Sequence, residues 1–167
     1  MCISIGILTI SDRAYSGVYE DLSAPMLKGE LDSILKTKWK SEYRLVCDEF
    51  DLIKNALIEL SEICPLIFTT GGSGPSKRDV TPEVMTNLCH KILPGFGEIM
   101  RVESFKKTPT AILSRQLAGI YNDTLIVNFP GNPKSIKECL PLIISSCMHC
   151  VSLLGGPSIE LDYKIKH

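Results

Sequence analysis

Short apolar runs alternate with amphipathic stretches along this chain, and that alternation constrains the fold more than any other feature. Ile3 to Ile10 and Leu66 to Thr70 are apolar at most positions, which is typical of strands buried on both faces. The segments between such runs carry apolar residues at helical spacing, and the longest runs from about Pro133 to Leu154. The pattern predicts an α/β fold: a three-layer sandwich in which helices cover both faces of a mostly parallel sheet.

One connection is too short for a parallel crossover. In the segment "QLAGIYNDTLIVNF", Asn122-Asp123 separates two apolar runs by two residues, and a turn of that length joins antiparallel strands. The sheet is therefore predicted to contain one antiparallel strand. The chain has no repeat, linker or low-complexity segment, so residues 1–167 are expected to form a single domain.

Composition narrows the possible partners. The formal net charge is -1, which argues against a nucleic-acid-binding protein, since such proteins usually carry a strongly basic face. The 7 cysteines are an odd number in a chain too large to need disulfides, and they predict reduced thiols in a cytoplasmic protein. The longest apolar stretch, Leu140 to Leu154, is interrupted by Ser145, Ser146 and His149 and is shorter than a bilayer span, so no membrane span is predicted.

Polar or glycine-rich residues follow each strand that is predicted to be parallel. Because ligands bind at the carboxyl ends of the strands in an open parallel sheet, four such loops are expected to converge on one site. In chain order the loops are Ser11-Asp12-Arg13, Cys47-Asp48-Glu49, the stretch "TTGGSGPSKRDVTPE" at 69–83, and "PGNPKS" at 130–135.

The stretch at 69–83 fails three familiar motifs. A Walker phosphate-binding loop needs glycine before its lysine, but Ser76 precedes Lys77. The dinucleotide-binding fingerprint needs its third glycine where Lys77 stands. A nucleophile elbow fails at Pro75, so Ser73 is a poor candidate for a nucleophile.

The chemistry of the same stretch favours a phosphate site with a metal. Glycine amides can cradle an anion, and a helix that starts near Thr81-Pro82, with Thr81 as its N-cap, adds a positive dipole end. Lys77 and Arg78 add positive charge, while Asp79 adds a carboxylate of the kind that binds Mg²⁺ between phosphates. Asp48 supplies a second such carboxylate. The alternative is that the glycines form only a turn and the acids are solvated.

Two further features have plain structural interpretations. Cys147 and Cys150 form a single CxxC in an apolar context, which favours packing in a core helix over zinc or redox chemistry. Ser114-Arg115 follows an apolar pair and, taken alone, is typical of a surface turn.

Several motifs together resemble a known family. In chain order they are "ISDRAYSGVYED" at 10–21, Asp48-Glu49, "TTGGSGPSKRDVTPE" at 69–83, "PGFGE" at 94–98, "PTAILSR" at 109–115 and "NFPGNPKSIKE" at 128–138. The chain resembles the molybdopterin adenylyltransferases, which are related to the plant and gephyrin G domains. That resemblance implies the molybdopterin-binding fold, a homotrimer, and transfer of AMP from ATP to the terminal phosphate of molybdopterin with Mg²⁺ as cofactor. It also implies a transient contact with the molybdate-insertion protein.

The resemblance assigns roles by position. Asp48 and Asp79 match two functionally important aspartates, and both are expected to bind Mg²⁺ and position phosphate. The pocket for molybdopterin and ATP is expected to include Ser11, Asp12, Thr70, Gly71, Gly72, Ser73, Gly74, Lys77, Arg78, Pro94, Gly95, Ser114, Gly131, Asn132, Pro133, Lys134 and Ser135. Two alternatives stay open: a non-catalytic molybdopterin-binding module of this fold, and a nucleotide-processing domain like that of the competence-damage proteins.

Overall fold

The computed structural model describes residues 2–162, so both ends of the predicted 1–167 domain lie outside the described residues. The strands are β1 (Ile3–Ile10), β2 (Trp39–Val46), β3 (Leu66–Thr70), β4 (Lys91–Leu93), β5 (Ala118–Tyr121) and β6 (Thr124–Phe129). The helices are α1 (Asp12–Tyr15), α2 (Ser23–Ile34), α3 (Phe50–Ser61), α4 (Thr81–Leu88), α5 (Pro94–Phe105) and α6 (Pro133–Leu153), with a 3-10 turn at Pro109–Leu113.

The six strands form one sheet in the order β2-β1-β3-β6-β5-β4. Strand β1 pairs in parallel with β2 and β3, and β3 pairs in parallel with β6. Strand β5 runs antiparallel to both of its neighbours, β6 and β4. The turn between β5 and β6 places Asn122 at φ 50°, in the left-handed region that such hairpin turns use. The predicted mostly parallel sheet with one antiparallel strand is confirmed.

Each face of the sheet carries its own hydrophobic core. Successive side chains of β3 point to opposite faces. Leu66 and Phe68 pack in the cluster that includes the buried side chains of α2 and α6. Ile67 packs in the second cluster, with the buried side chains of α3 and α4. The three-layer arrangement predicted from the apolar runs is therefore confirmed.

The start of α4 differs from the prediction. Thr81 was expected to cap this helix from outside, but it is the first helical residue and Val80 is the N-cap. Instead of capping, the hydroxyl of Thr81 donates a hydrogen bond to the carbonyl oxygen of Gly71 at 3.2 Å. The hydrogen bond to Gly71, at the start of the preceding loop, thus replaces the N-cap role that the sequence predicted for Thr81.

Helix α6 is long and apolar enough to cross a membrane by length and composition alone. Its apolar residues have another explanation, because one side of the helix is buried in the core beneath the sheet. The buried residues of α6 are Ile136, Cys139, Leu140, Ile143, Ile144, Cys147, Met148 and Val151. Their spacing of three and four residues is that of a helix with one buried face.

Candidate active site

The carboxyl ends of β1, β2, β3 and β6 meet at one edge of the sheet. The chain runs outward from β1 to β2 and then returns to β3 on the other side of β1, so the strand order reverses between β1 and β3. Open parallel sheets form a ligand-binding crevice at such a reversal. The amide of Gly71 donates to the carbonyl oxygen of Phe129 at 3.1 Å, which joins the loop after β3 to the loop after β6.

Glycine is required at two positions in the loop after β3. Gly71 has φ +100° and Gly72 has φ +61°, both in the region that side chains disfavour. A Cβ atom at Gly71 would lie 2.1 Å from the carbonyl oxygen of Ile10, and one at Gly72 would lie 2.2 Å from Oγ1 of Thr81. The loop therefore presents bare backbone, which allows a ligand to approach it closely. We call residues 71–74 the glycine loop.

The loop after β6 and the start of α6 form the facing wall. The hydroxyl of Thr70 donates to the carbonyl oxygen of Pro130 at 3.1 Å, and a Cβ atom at Gly131 would lie 3.3 Å from Cα of Gly71. The side chain of Asn132 accepts a hydrogen bond from the amide of Lys134 at 3.0 Å and so caps α6. The positive end of the α6 dipole is thereby directed at this wall.

A cavity of about 420 Å³ lies between these walls. Its volume is within the range of small-molecule binding sites. It is closed on a third side by residues 104–116, which include the 3-10 turn. The predicted site residues that line it are Gly71, Gly72, Ser73, Gly74, Asp79, Ser114, Gly131, Asn132, Lys134 and Ser135.

Asp12 and Asp48 hold each other at the ends of β1 and β2. The amide of Asp12 donates to Oδ2 of Asp48 at 2.9 Å, and the amide of Asp48 donates to Oδ1 of Asp12 at 3.0 Å. Burial raises the pKa of Asp48, and the negative charges of Asp12 and Asp79 raise it further. The carboxylate of Asp48 is therefore in a position where a bound cation would be favourable.

Arg78 completes a charged cluster that we call the carboxylate rim, formed by Asp12, Asp48, Glu49 and Arg78. The guanidinium group of Arg78 binds both carboxylate oxygens of Asp12, at 3.0 and 2.9 Å, and Oε1 of Glu49 at 2.6 Å. The hydrogen bonds from Arg78 hold the pKa of Asp12 below its usual value. Arg78, which was predicted to bind a ligand, therefore pairs with carboxylates of the protein itself. Lys77 beside it is exposed.

Asp48 and Asp79 both lie against the glycine loop. A Cβ atom at Gly72 would be 3.2 Å from Oδ1 of Asp48, and one at Gly74 would be 2.9 Å from Oδ2 of Asp79. Within residues 2–162, hydrogen bonds engage Oδ2 of each aspartate and neither Oδ1. Oxygen ligands from one or two carboxylates, completed by phosphate and water, are what Mg²⁺ prefers, so the two Oδ1 atoms are of the type that this ion binds.

Comparisons with known proteins decide the family. A family model described as "Probable molybdopterin binding domain" matches residues 6–149. The molybdopterin adenylyltransferase of Helicobacter pylori J99 is 49% identical over 164 residues, which cover 97% of this chain and 93% of that protein. The enzyme of the same name from Escherichia coli K12 is 45% identical over 172 residues, covering 95% and 88%. The chain belongs to the molybdopterin adenylyltransferase family.

The fold of this family member also matches solved structures. The molybdopterin biosynthesis enzyme MoaB from Thermus thermophilus superposes with a TM-score of 0.84 at 37% identity, covering 93% of this chain and 99% of that one. The match therefore spans nearly the whole of both chains.

Arg115, which supports the glycine loop, was not among the predicted site residues. Arg115 was interpreted as part of a surface turn, but it binds the back of the glycine loop through its backbone and its side chain. Its amide donates to the carbonyl oxygen of Ser73 at 2.7 Å, and its Nε donates to that of Gly74 at 2.9 Å. Its Nη2 donates to the carbonyl oxygen of Asp79 at 2.7 Å, and its Nη1 pairs with Glu83. The sequence feature that could have identified Arg115 is its place in the motif "PTAILSR".

Some predicted residues lie away from the cavity. Pro94 and Gly95 are exposed in the first turn of α5, where proline is favoured because no intrahelical hydrogen bond is lost there. Ser11 caps the short helix α1 and lines a separate cavity of about 80 Å³, together with Thr70 and Gly131. Pro133 begins α6 and is not among the residues that line the main cavity.

The cysteine pair of this family member is structural. Cys147 is completely buried in α6 and Cys150 is partly buried beside it. Burial raises the pKa of both thiols, which disfavours the thiolate that metal binding and redox chemistry require. Within residues 2–162, no group of three or more histidine, cysteine or acidic side chains forms a metal site.

Proposed function

We propose that the protein transfers AMP from ATP to the terminal phosphate of molybdopterin, in the biosynthesis of the molybdenum cofactor. The products are adenylyl-molybdopterin and pyrophosphate. The proposal agrees with the family to which the chain belongs. The observation that carries it in the structure is the glycine loop, with a cavity of about 420 Å³ on one side and two aspartates against its backbone.

The chemistry needs positioning more than a reactive side chain. An oxygen of the molybdopterin phosphate attacks the α-phosphorus of ATP, and the bond from that phosphorus to the bridging oxygen of pyrophosphate breaks. A phosphate monoester is already largely ionised near pH 7, so no dedicated base is needed. Ser73 is buried, with its hydroxyl 3.5 Å from that of Ser114, and it is not placed as a nucleophile.

The residues of the site divide this work. The amides of the glycine loop, together with Lys134, Ser135 and the start of α6, would hold phosphate oxygens in the cavity. Asp48 and Asp79 would hold Mg²⁺, which when bound neutralises charge on the phosphates. Because these groups lie together at one edge of the sheet, they can hold both substrates in a reactive arrangement.

The assembly and location of the protein are part of the same proposal. Ile99, Val102 and Phe105 form an exposed apolar face on α5, and Ile112 and Leu113 are exposed beside it in the 3-10 turn. Exposed apolar patches of this kind mark contact surfaces, which supports association of subunits in the homotrimer that the family resemblance implies. The 7 cysteines are free thiols, as expected in the reducing cytoplasm. One domain over residues 1–167 and a transient contact with the molybdate-insertion protein complete the proposal.

The test is direct. Purified protein is incubated with molybdopterin, ATP and Mg²⁺, and the pterin is analysed by mass spectrometry. We expect the mass of one AMP to be added to the pterin, with release of pyrophosphate, and no addition when Mg²⁺ is chelated. If molybdopterin binds and stays unmodified, the non-catalytic module is the better hypothesis. If ATP is processed without any pterin, the competence-damage type of activity is favoured instead.

A further inference from the structure

Helix α6 presents two kinds of charge to the cavity along one face. Lys134, Ser135 and Glu138 all line the cavity, and their spacing of three and four residues places them on the same side of the helix. Lys134 and Ser135 stand in the first turn, next to the glycine loop. With a rise of about 1.5 Å per residue, Glu138 lies roughly 5 Å farther along the helix. The cavity therefore has a lysine and a serine at the start of α6 and, farther along the same helix, a carboxylate.

The carboxylate is held in place from the opposite wall. Nζ of Lys107, two residues after the end of α5, lies 3.3 Å from Oε1 of Glu138, whose side chain is 24% exposed. Within residues 2–162, no hydrogen bond or ion pair engages Oε2. Ser104 and Thr108 line the cavity at the same end and present hydroxyl groups. Glu138 is thus a half-buried carboxylate in the lining of the cavity, and because each carboxylate oxygen can accept more than one hydrogen bond, both of its oxygens can still accept from a ligand.

The two substrates of the proposed reaction differ in what they offer to a carboxylate. A carboxylate accepts hydrogen bonds and donates none. The pyrimidinone edge of a pterin carries an amino group beside a ring N–H, which are two adjacent donors. The corresponding edge of adenine carries an amino group beside an unprotonated ring nitrogen, which is a donor next to an acceptor. Only the pterin edge matches both oxygens of a carboxylate.

We propose that Glu138 recognises the amino and N–H edge of the pterin ring of molybdopterin and excludes adenine from that end of the cavity. The inference rests on the proposed function. It orients the pterin along α6, with the terminal phosphate at the glycine loop and the ring at Glu138. The nucleotide is then left to the side of the glycine loop where the carboxylate rim lies. Glu138 is a specificity-determining residue in this arrangement and takes no part in the bond changes.

The test compares binding of the two substrates separately. Glu138→Gln keeps the size of the side chain and removes its charge and one acceptor. Loss of a charge-assisted pair of hydrogen bonds should weaken molybdopterin binding, measured by calorimetry without ATP, by about 10- to 100-fold. The affinity for ATP should change by less than about twofold. Glu103→Gln alters the equivalent Glu–Lys pair on α5, which is outside the cavity, and should change neither affinity.

Competition with a second pair of ligands tests whether Glu138 contacts the edge of the pterin ring. Pterin should compete with molybdopterin better than lumazine, in which a carbonyl oxygen replaces the amino group, and Glu138→Gln should abolish that preference. Glu138→Asp, which retains the carboxylate, should keep part of it even if Glu138→Gln fails to fold. Molybdopterin affinity unchanged in Glu138→Gln, or an equal loss for ATP, would overturn the inference. If the wild type prefers pterin through Glu138 and still makes no adenylyl product, the proposed reaction fails while this inference stands.

Discussion

The two sides of the glycine loop are built by different means. On one side, the carboxylate rim consists of side chains that satisfy one another: Asp12 and Asp48 exchange hydrogen bonds with each other's amides, and Arg78 pairs with Asp12 and Glu49. On the other side, the backbone shapes the cavity: a Cβ atom at Gly71 would lie 2.1 Å from the carbonyl oxygen of Ile10, and one at Gly131 would lie 3.3 Å from Cα of Gly71.

The carboxylate rim therefore supplies charge to the site, whereas the glycine loop determines the shape of the cavity. A side chain in the carboxylate rim is exposed or half-buried, and removing its charge leaves the backbone of the loop in place. Exposed ion pairs of this kind contribute little to stability. A side chain added at Gly71 would instead meet the backbone carbonyl group of Ile10, which cannot move away. Changes in the carboxylate rim should therefore affect turnover, while changes in the glycine loop should affect stability first.

The largest expected effect comes from a substitution that disturbs the backbone of the glycine loop. In Gly71→Ala, the new Cβ atom would lie 2.1 Å from the carbonyl oxygen of Ile10 at a φ of +100°. We expect a loss of about 3 kcal/mol or more in the free energy of unfolding, measured by denaturant titration. Gly17→Ala is the matched control, since it has φ +74° with nothing within 4 Å of the new atom, and it should cost about 1 kcal/mol. Equal losses in the two variants would contradict the close-packed loop.

Removing the charge of either aspartate should have the next largest effect. Asp48→Asn and Asp79→Asn each keep the shape of the side chain and remove a proposed Mg²⁺ ligand. We expect turnover in the adenylylation assay to fall by at least about 100-fold, as when one electrostatic group of a site is removed. Thermal unfolding should change little: burial raises the pKa of Asp48 and thus disfavours its charged form, and an asparagine at position 79 keeps an oxygen that can accept from the amide of Ser76. Asp32→Asn, in an exposed ion pair on α2, serves as the control. Wild-type turnover in both variants would remove the metal assignment.

The architecture of the protein could be predicted from its sequence because it depends on local patterns. Two-sided burial shows directly in the apolar run of β1, and the two-residue turn at Asn122-Asp123 is enough to reverse the chain. Strand β4 was not predicted. It has only three residues and its positions are exposed or half-buried, so no alternation marks it, and it forms only because β5 offers it an edge.

The candidate site was predictable in its loops but not in its contacts. Residues that end parallel strands must converge, so the neighbourhood of Asp48 and the glycine loop followed from topology. The partner of Arg78 and the role of Arg115 could not follow, because these side chains reach across 66 and up to 41 positions of the chain. Such pairings are decided by the packed fold, which a single sequence does not display.

The smallest of the three effects should come from Arg115, which lies behind the glycine loop and acts on it from outside the cavity. Arg115→Ala removes side-chain hydrogen bonds to the carbonyl oxygens of Gly74 and Asp79 but keeps the backbone contact with Ser73. The loop should keep its path and lose part of its rigidity. We expect kcat to fall by about 10-fold, since an error in position lowers the rate without removing a reacting group.

A structural role alone would make Arg115→Ala behave as a plain loss of stability, and two variants separate that case from loop positioning. Arg115→Lys keeps the positive charge but loses the fork that reaches two carbonyl oxygens, so it should recover stability more than kcat. Arg44→Ala removes an exposed arginine whose side chain, within residues 2–162, donates a hydrogen bond only to the carbonyl oxygen of Tyr43, and it should leave both stability and kcat unchanged. A normal kcat in Arg115→Ala, measured at a temperature where the variant is fully folded, would contradict loop positioning by Arg115. The glycines of the loop and Thr81 would then be sufficient to hold its shape.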